Sequence, residues 1–132
     1  MIRVVCGIIY QDDKVFICRR KPSKSLGGYW EFPGGKIEIG ESNEDSLKRE
    51  LLEELQMEVD VVEYFGSSQY DYENFSIDLI AYTCNLRNWN LCLTDHDQYD
   101  WVTPDEILKR KLAPADIPLA QSIKNKKAHN KT

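Results

Sequence analysis

The stretch from Gly34 to Met57, GGKIEIGESNEDSLKRELLEELQM, constrains this chain more than any other. From Ser42 onward it reads as a helix ending near Leu55. Ser42 or Asn43 can serve as the N-cap, and Glu44 and Asp45 put negative charge in the first turn, where the helix dipole favours it. Leu47, Leu51 and Leu55 recur every four residues and draw one apolar stripe, so the helix must lie against a core. Glu50, Glu53 and Glu54 fall at i, i+3 and i+4 and share a different face. Like charges at that spacing cost about 0.2–0.5 kcal/mol per pair. Such a face is either a solvated acidic surface or the seat of a hard divalent cation. An oxygen-only donor set suits Mg²⁺ or Mn²⁺ rather than zinc.

The rest of the composition narrows what surrounds this helix. At 132 residues the chain is long enough for one domain with a real core, and 42% hydrophobic with 30% charged residues is ordinary for a globular protein. The net charge of −5 argues against broad binding of a nucleic acid polymer. An acidic protein that binds a polyanion instead recruits metal and a few local cations. No run of about 18 apolar residues predicts a membrane span, and the N-terminus reads as a strand rather than a signal peptide. Cys6, Cys18, Cys84 and Cys92 show no CxxC spacing. They read as reduced thiols of a cytoplasmic protein and give no sign of a zinc site.

In chain order, Ile2 to Tyr10 and Lys14 to Arg20 read as strands joined by the turn Gln11-Asp12-Asp13. Lys21 to Gly28 is a loop, either a lid over a ligand or a plain connector. Tyr29 to Phe32 is a short strand, and Gly34-Gly35 lets the backbone turn and approach a ligand closely. Beyond the helix, Glu58 to Gln69 and Phe75 to Asn85 read as a second hairpin around a turn at Tyr70 to Asn74. Arg87 to Leu93 is ambiguous, and Thr94 to Val102 ends in a strand. Thr103-Pro104-Asp105-Glu106 carries N-cap, proline and capping-box signals for a helix reaching near Lys111. A last helix spans about Ile117 to Lys126, with a frayed basic tail at about 127–132. This order predicts one α+β domain over 1–132, an α/β/α sandwich around a mixed sheet.

The spacing Gly35, five residues, Glu41, seven residues, Arg49-Glu50-Leu51, one residue, Glu53-Glu54 resembles the Nudix box, with Met57 at its aliphatic end. The pattern departs at Gln56, where the family usually has the glycine that supplies a left-handed helix exit. The resemblance continues through Arg19-Arg20, through Trp30 to Lys36, and through Leu112 to Pro118. It covers about residues 3 to 125 and points to the MutT branch. It implies a box loop–helix–loop packed on a mixed sheet, a C-terminal helix, and hydrolysis of a nucleoside diphosphate linked to another group.

Carried over by position, the resemblance makes Glu50, Glu53 and Glu54 metal ligands, joined by the carbonyl of Gly35. Arg49 holds the glutamates in place, Glu41 supports that network or helps bind a metal, and Lys36 meets a phosphate oxygen. Asp95 is the candidate further carboxylate, as a ligand or as the base that deprotonates water, against the reading of Thr94 to Asp97 as a polar loop. His96 is read as orienting its neighbours. Arg20 contacts base or sugar, Trp30 or Phe32 stacks on the base or belongs to the core, the core being favoured for Phe32, and Asp116 reads the base or caps the last helix. An ionised aspartate only accepts hydrogen bonds, which suits the exocyclic amine of cytosine. The expectation is therefore a Mg²⁺- or Mn²⁺-dependent pyrophosphohydrolase of cytidine-type nucleoside triphosphates, a nucleotide-pool sanitiser working as monomer or homodimer. The alternatives are an 8-oxo-dGTP diphosphatase and a non-catalytic nucleotide-binding module.

Overall fold

The computed structural model describes residues 1–90 and 92–130, and the side chains of 1–90 and 92–126. Seven strands form one mixed sheet: β1 (Ile2–Gln11), β2 (Lys14–Arg20), β3 (Trp30–Glu31), β4 (Gly34–Lys36), β5 (Met57–Asp71), β6 (Ser76–Trp89) and β7 (His96–Val102). The helices are α1 (Asn43–Leu55), α2 (Pro104–Ile107) and α3 (Ile117–Asn130), with a 3-10 turn at Pro114–Asp116. The main strand order is β3-β2-β1-β6-β5, with β4 paired to β1 and β7 to β2. Strand β1 runs parallel to β6 from Ile2↔Ile77 to Tyr10↔Asn85. The parallel pair requires a crossover, and α1 lies in it. The result is the α+β sandwich that the element order predicts.

Alternation along β1 and β2 sorts the core into two layers. Val5, Ile9, Phe16 and Cys18 face α1 and meet Leu47, Leu51 and Leu55, which are all 1% exposed or less. Cys6, Ile8, Val15 and Ile17 face the other way and meet Leu119, Ala120 and Ile123 of α3. The leucine stripe is therefore what presses the acidic helix against the sheet. Ser42, not Asn43, caps α1, its Oγ accepting from Asp45 N–H at 3.1 Å.

Several boundaries differ from those the local signals predict. Strands β5 and β6 run on to Asp71 and Trp89, because each supplies the other's ladder from Met57↔Trp89 to Asp71↔Ser76, past polar positions that weaken the alternation. Arg87 to Trp89 is thus strand rather than loop. Helix α2 stops at Ile107 although Thr103 caps it, its Oγ accepting from Glu106 N–H and donating to the Glu106 carboxylate, since Lys109 and Arg110 N–H turn back three residues, to Glu106 and Ile107. Helix α3 continues to Asn130 rather than ending at Lys126. Of the expected frayed tail, residues 131–132 lie outside the described residues. No helix among the described residues is long and apolar enough to cross a membrane.

Candidate active site

Helix α1 and strand β4 build the acidic end of the site. Gly34 and Gly35 pair with Cys6 and Val5 on β1. A Cβ on Gly34 would strike the Val5 carbonyl, and one on Gly35 would strike the Glu50 carboxylate. The glycine pair is what lets the sheet and the acidic helix close to this distance. Gln56 takes the left-handed conformation (φ 51°, ψ 40°) in which glycine is at ease, and its N–H still closes the helix onto the Leu51 and Leu52 carbonyls.

Arg49 organises the carboxylates. Its guanidinium grips Glu41 with two bonds, Nε–H to Oε2 at 2.7 Å and Nη2–H to Oε1 at 2.9 Å. Nη1–H reaches Glu50 at 3.1 Å and Glu53 at 3.2 Å. The hydrogen bond to Glu41, with Glu50 and Glu38 nearby, holds the guanidinium proton more tightly than usual, while Arg49 pulls Glu41 below the ordinary carboxylate range. Glu54 turns the other way. Burial and a hydrogen bond with Asp95, reinforced by the charge of Glu50, push its carboxyl up to about 9. Burial also raises Asp95, but the bond from Glu54 and the Lys24 ammonium, 3.3 Å away, leave it below its usual value. Of the two carboxyls, Glu54 therefore holds a proton more strongly than Asp95. Burial raises Glu50 as well, against the pull of Arg49.

These carboxylates share the α1 face, but in this arrangement Glu50 and Glu53 are held by Arg49 and Glu54 by Asp95. Crowding that keeps Glu54 and Glu50 from ionising freely is the electrostatic condition a divalent cation relieves. The donor set, three carboxylates with the Gly35 carbonyl alongside, fits a hard cation.

A cavity of about 370 Å³ opens beside this face. Gly34, Gly35 and Lys36 line it together with Arg20, Glu31 and Asp116. Asp116 is 5% exposed, and its Oδ2 accepts the Phe32 N–H at 2.9 Å. Its side chain therefore holds β3 and does not cap α3. Burial and the nearby Glu31 push the Asp116 carboxyl well up, against the Phe32 N–H and Arg20. Segment 111–113 brings Asp116 here, because Trp30 N–H donates to Lys111 O and Ala113 N–H to Trp30 O. Arg20 donates to Ser25 O at 2.7 Å and pairs with Glu31 at 3.3 Å.

Trp30 corrects the sequence expectation. It is 8% exposed in the α3-side core, with the Arg110 guanidinium 4.7 Å over its ring, and it does not line the cavity. Phe32 does line it, together with Tyr72 and Phe75 from the β5–β6 hairpin, whose rings stack at 5.1 Å. Nothing local marks those two, since they sit in a turn 40 residues from Phe32 and only the hairpin's fold-over brings them in. Glu31 is the other omission. It bonds His96 Nε2 at 2.9 Å and Arg20, and period-2 alternation between the core residues Trp30 and Phe32 is the signal that sets it apart. His96, read from the sequence as orienting its neighbours, contacts the Glu31 carboxylate.

The comparisons with known proteins agree with this geometry. The family profile described as NUDIX domain matches residues 4–122. A CTP pyrophosphohydrolase of Escherichia coli K12 is 40% identical over 123 residues, 93% of this chain and 91% of the relative. An 8-oxo-dGTP diphosphatase of Proteus vulgaris is 35% identical over 95 residues, 71% of this chain and 83% of the relative. Among solved structures, the Escherichia coli ORF135 protein superposes with a TM-score of 0.83 at 38% identity, covering 98% of this chain and 92% of its own. The MutT protein from Methanosarcina mazei Go1 reaches 0.84 at 21% identity, a likeness of fold alone, covering 99% of this chain and 96% of its own.

Proposed function

Because the chain belongs to the NUDIX domain family, we propose that this Nudix hydrolase is a Mg²⁺-dependent pyrophosphohydrolase that splits a cytidine-type nucleoside triphosphate into monophosphate and pyrophosphate. The reading rests on a single cavity lined both by Gly34, Gly35 and Lys36, next to the acidic helix, and by Asp116. A triphosphate laid along it meets Lys36 while its base meets Asp116. A bound divalent cation neutralises phosphate oxygens and acidifies water. The residues to hold it are Glu50, Glu53, Glu54 and the Gly35 carbonyl. Arg49 keeps Glu50 and Glu53 aimed, and Asp95, bonded to Glu54, is the carboxylate we assign to deprotonating the attacking water.

At the base end, the raised Asp116 carboxyl changes the hydrogen-bond logic. A neutral carboxyl donates as well as accepts. Cytosine offers an amine donor and a ring-nitrogen acceptor on one edge; an Asp116 oxygen accepts from the amine, and the protonated form that burial favours also donates to the ring nitrogen. The relative named CTP pyrophosphohydrolase supports this choice. That protonated form also imitates an amide, which favours an oxidised guanine as the second reading, and the relative named 8-oxo-dGTP diphosphatase supports that one. Arg20 and Glu31 contact base or sugar, and Phe32, Tyr72 and Phe75 supply the apolar wall. In this role the protein clears modified nucleotides from the precursor pool.

A panel of CTP, dCTP, modified cytosine nucleotides and 8-oxo-dGTP, with pyrophosphate detection, tests the assignment. Turnover confined to 8-oxo-dGTP refutes the cytidine reading. Glu53→Gln with Glu54→Gln abolishes turnover while leaving the fold intact, and full activity in that variant refutes the assignment of the metal face.

A further inference from the structure

We propose that Cys18, Glu31 and His96 form a second cation site, selective for a borderline-soft divalent ion such as Zn²⁺, beside Asp95 and with a donor set distinct from the three glutamates of α1. One ligand atom of each residue lies within 4.8 Å of those of the other two, and no other His, Cys, Asp or Glu group among the described residues meets that condition. Thiolate, imidazole and carboxylate are the donors zinc selects, whereas Mg²⁺ prefers oxygen alone. Zinc bonds of about 2.0–2.3 Å set tetrahedral ligand separations of about 3.3–3.8 Å, so modest side-chain rotation closes the site. The donors stand on paired strands rather than loops: Cys18 on β2 opposes Glu31 on β3, and Arg20 on β2 opposes His96 on β7.

Two further observations favour a ligand here. His96 is 1% exposed, and its Nδ1 has no hydrogen-bond partner, so the contact with Glu31 is the single polar restraint on the ring. Glu31 also lines the nucleotide cavity, which gives an ion a route to the otherwise buried Cys18. Burial keeps the Cys18 thiol protonated in the free protein. Coordination replaces that proton with the cation and releases the proton to solvent, with no redox change. Binding draws Glu31 away from Arg20, and both residues line the cavity. Occupancy therefore blocks nucleotide entry, a consequence that rests on the proposed function, whereas the binding itself does not.

The test titrates the full chain with Co²⁺, a spectroscopic stand-in for Zn²⁺, in excess Mg²⁺ and without nucleotide. The expected result is one equivalent of Co²⁺ with a thiolate-to-cobalt charge-transfer band, and Zn²⁺ displaces it. The band disappears in Cys18→Ser, persists in Cys92→Ser, and needs at least tenfold more Co²⁺ in His96→Gln. Absence of the band in the wild-type protein overturns the proposal, whatever the variants do. So does a band that survives in a folded Cys18→Ser. Zn²⁺ then raises KM for nucleotide in the wild type but not in Cys18→Ser. The substrate panel fails or succeeds independently of the band.

Discussion

Replacing Arg49 with lysine keeps the charge and removes the planar fork, which isolates what the geometry contributes. The wild-type guanidinium holds Glu41 with bonds of 2.7 and 2.9 Å and reaches Glu50 and Glu53 with a third nitrogen. A single ammonium cannot span Glu41 and the other two carboxylates together, so at least one charge-assisted bond of the Glu41 pair is lost. Such a bond contributes about 1.5–3 kcal/mol when desolvated. The Arg49 side chain is 23% exposed, and that solvent access reduces the value to about 1–2 kcal/mol. For a chain of this length the expected fall in Tm is about 3–8 °C. Calorimetry in EDTA reads this term without any contribution from bound metal. The same variant, titrated calorimetrically with Mg²⁺, binds it about tenfold or more weakly, because Glu50 and Glu53 lose the group that aims them. An unchanged Tm together with unchanged Mg²⁺ affinity refutes the organising role of Arg49.

Gly35→Ala drives a methyl into the Glu50 carboxylate, so kcat falls by about 10²-fold from the displaced ligand, read in the pyrophosphate assay at saturating Mg²⁺. Gln56→Gly relieves a left-handed backbone at φ 51° and stabilises by about 0.5–1 kcal/mol after the added unfolded-state entropy, measured by urea unfolding. Glu54 has a folded pKa of about 9, above its unfolded value of about 4.3. Its contribution to stability is full below the unfolded value and is lost as pH rises through about 9. In EDTA, wild-type stability therefore declines across that window, Glu54→Gln flattens the decline, and an identical slope in both refutes the raised Glu54 carboxyl. Asp116→Asn keeps an acceptor for the Phe32 N–H and removes a second raised carboxyl, so it gains stability relative to wild type at alkaline pH, with an altered base preference in the substrate panel.

Much of this protein is legible from local spacing. The period-4 leucines dictate which face of α1 is buried, and that in turn forces Glu50, Glu53 and Glu54 outward. Gly35, Glu41 and Arg49 are recognisable because hydrogen-bond reach along one helix and the loop before it is a short-range matter. Gln56, where the box pattern departs from its usual glycine, takes the left-handed conformation itself.

Other features arise from contacts between residues distant in sequence, and no local pattern encodes them. Trp30 looked like a stacking platform, but the 111–113 segment pairs with it and Arg110 covers its ring, so it belongs to the core. Asp116 looked able to cap a helix, yet its carboxylate is committed across 84 positions to the Phe32 N–H. Burial there pushes the carboxyl well above the range of an exposed aspartate. Cysteine spacing gave no sign of zinc, whereas the sheet sets Cys18 beside Glu31 and His96. The sequence by itself determined the acidic helix of the Gly34–Met57 stretch and its chemistry, since helix periodicity and short-range reach are local properties. Tertiary structure alone decided which residues line the cavity and that the Asp116 carboxyl is raised there, because burial and long-range pairing belong to the folded chain as a whole.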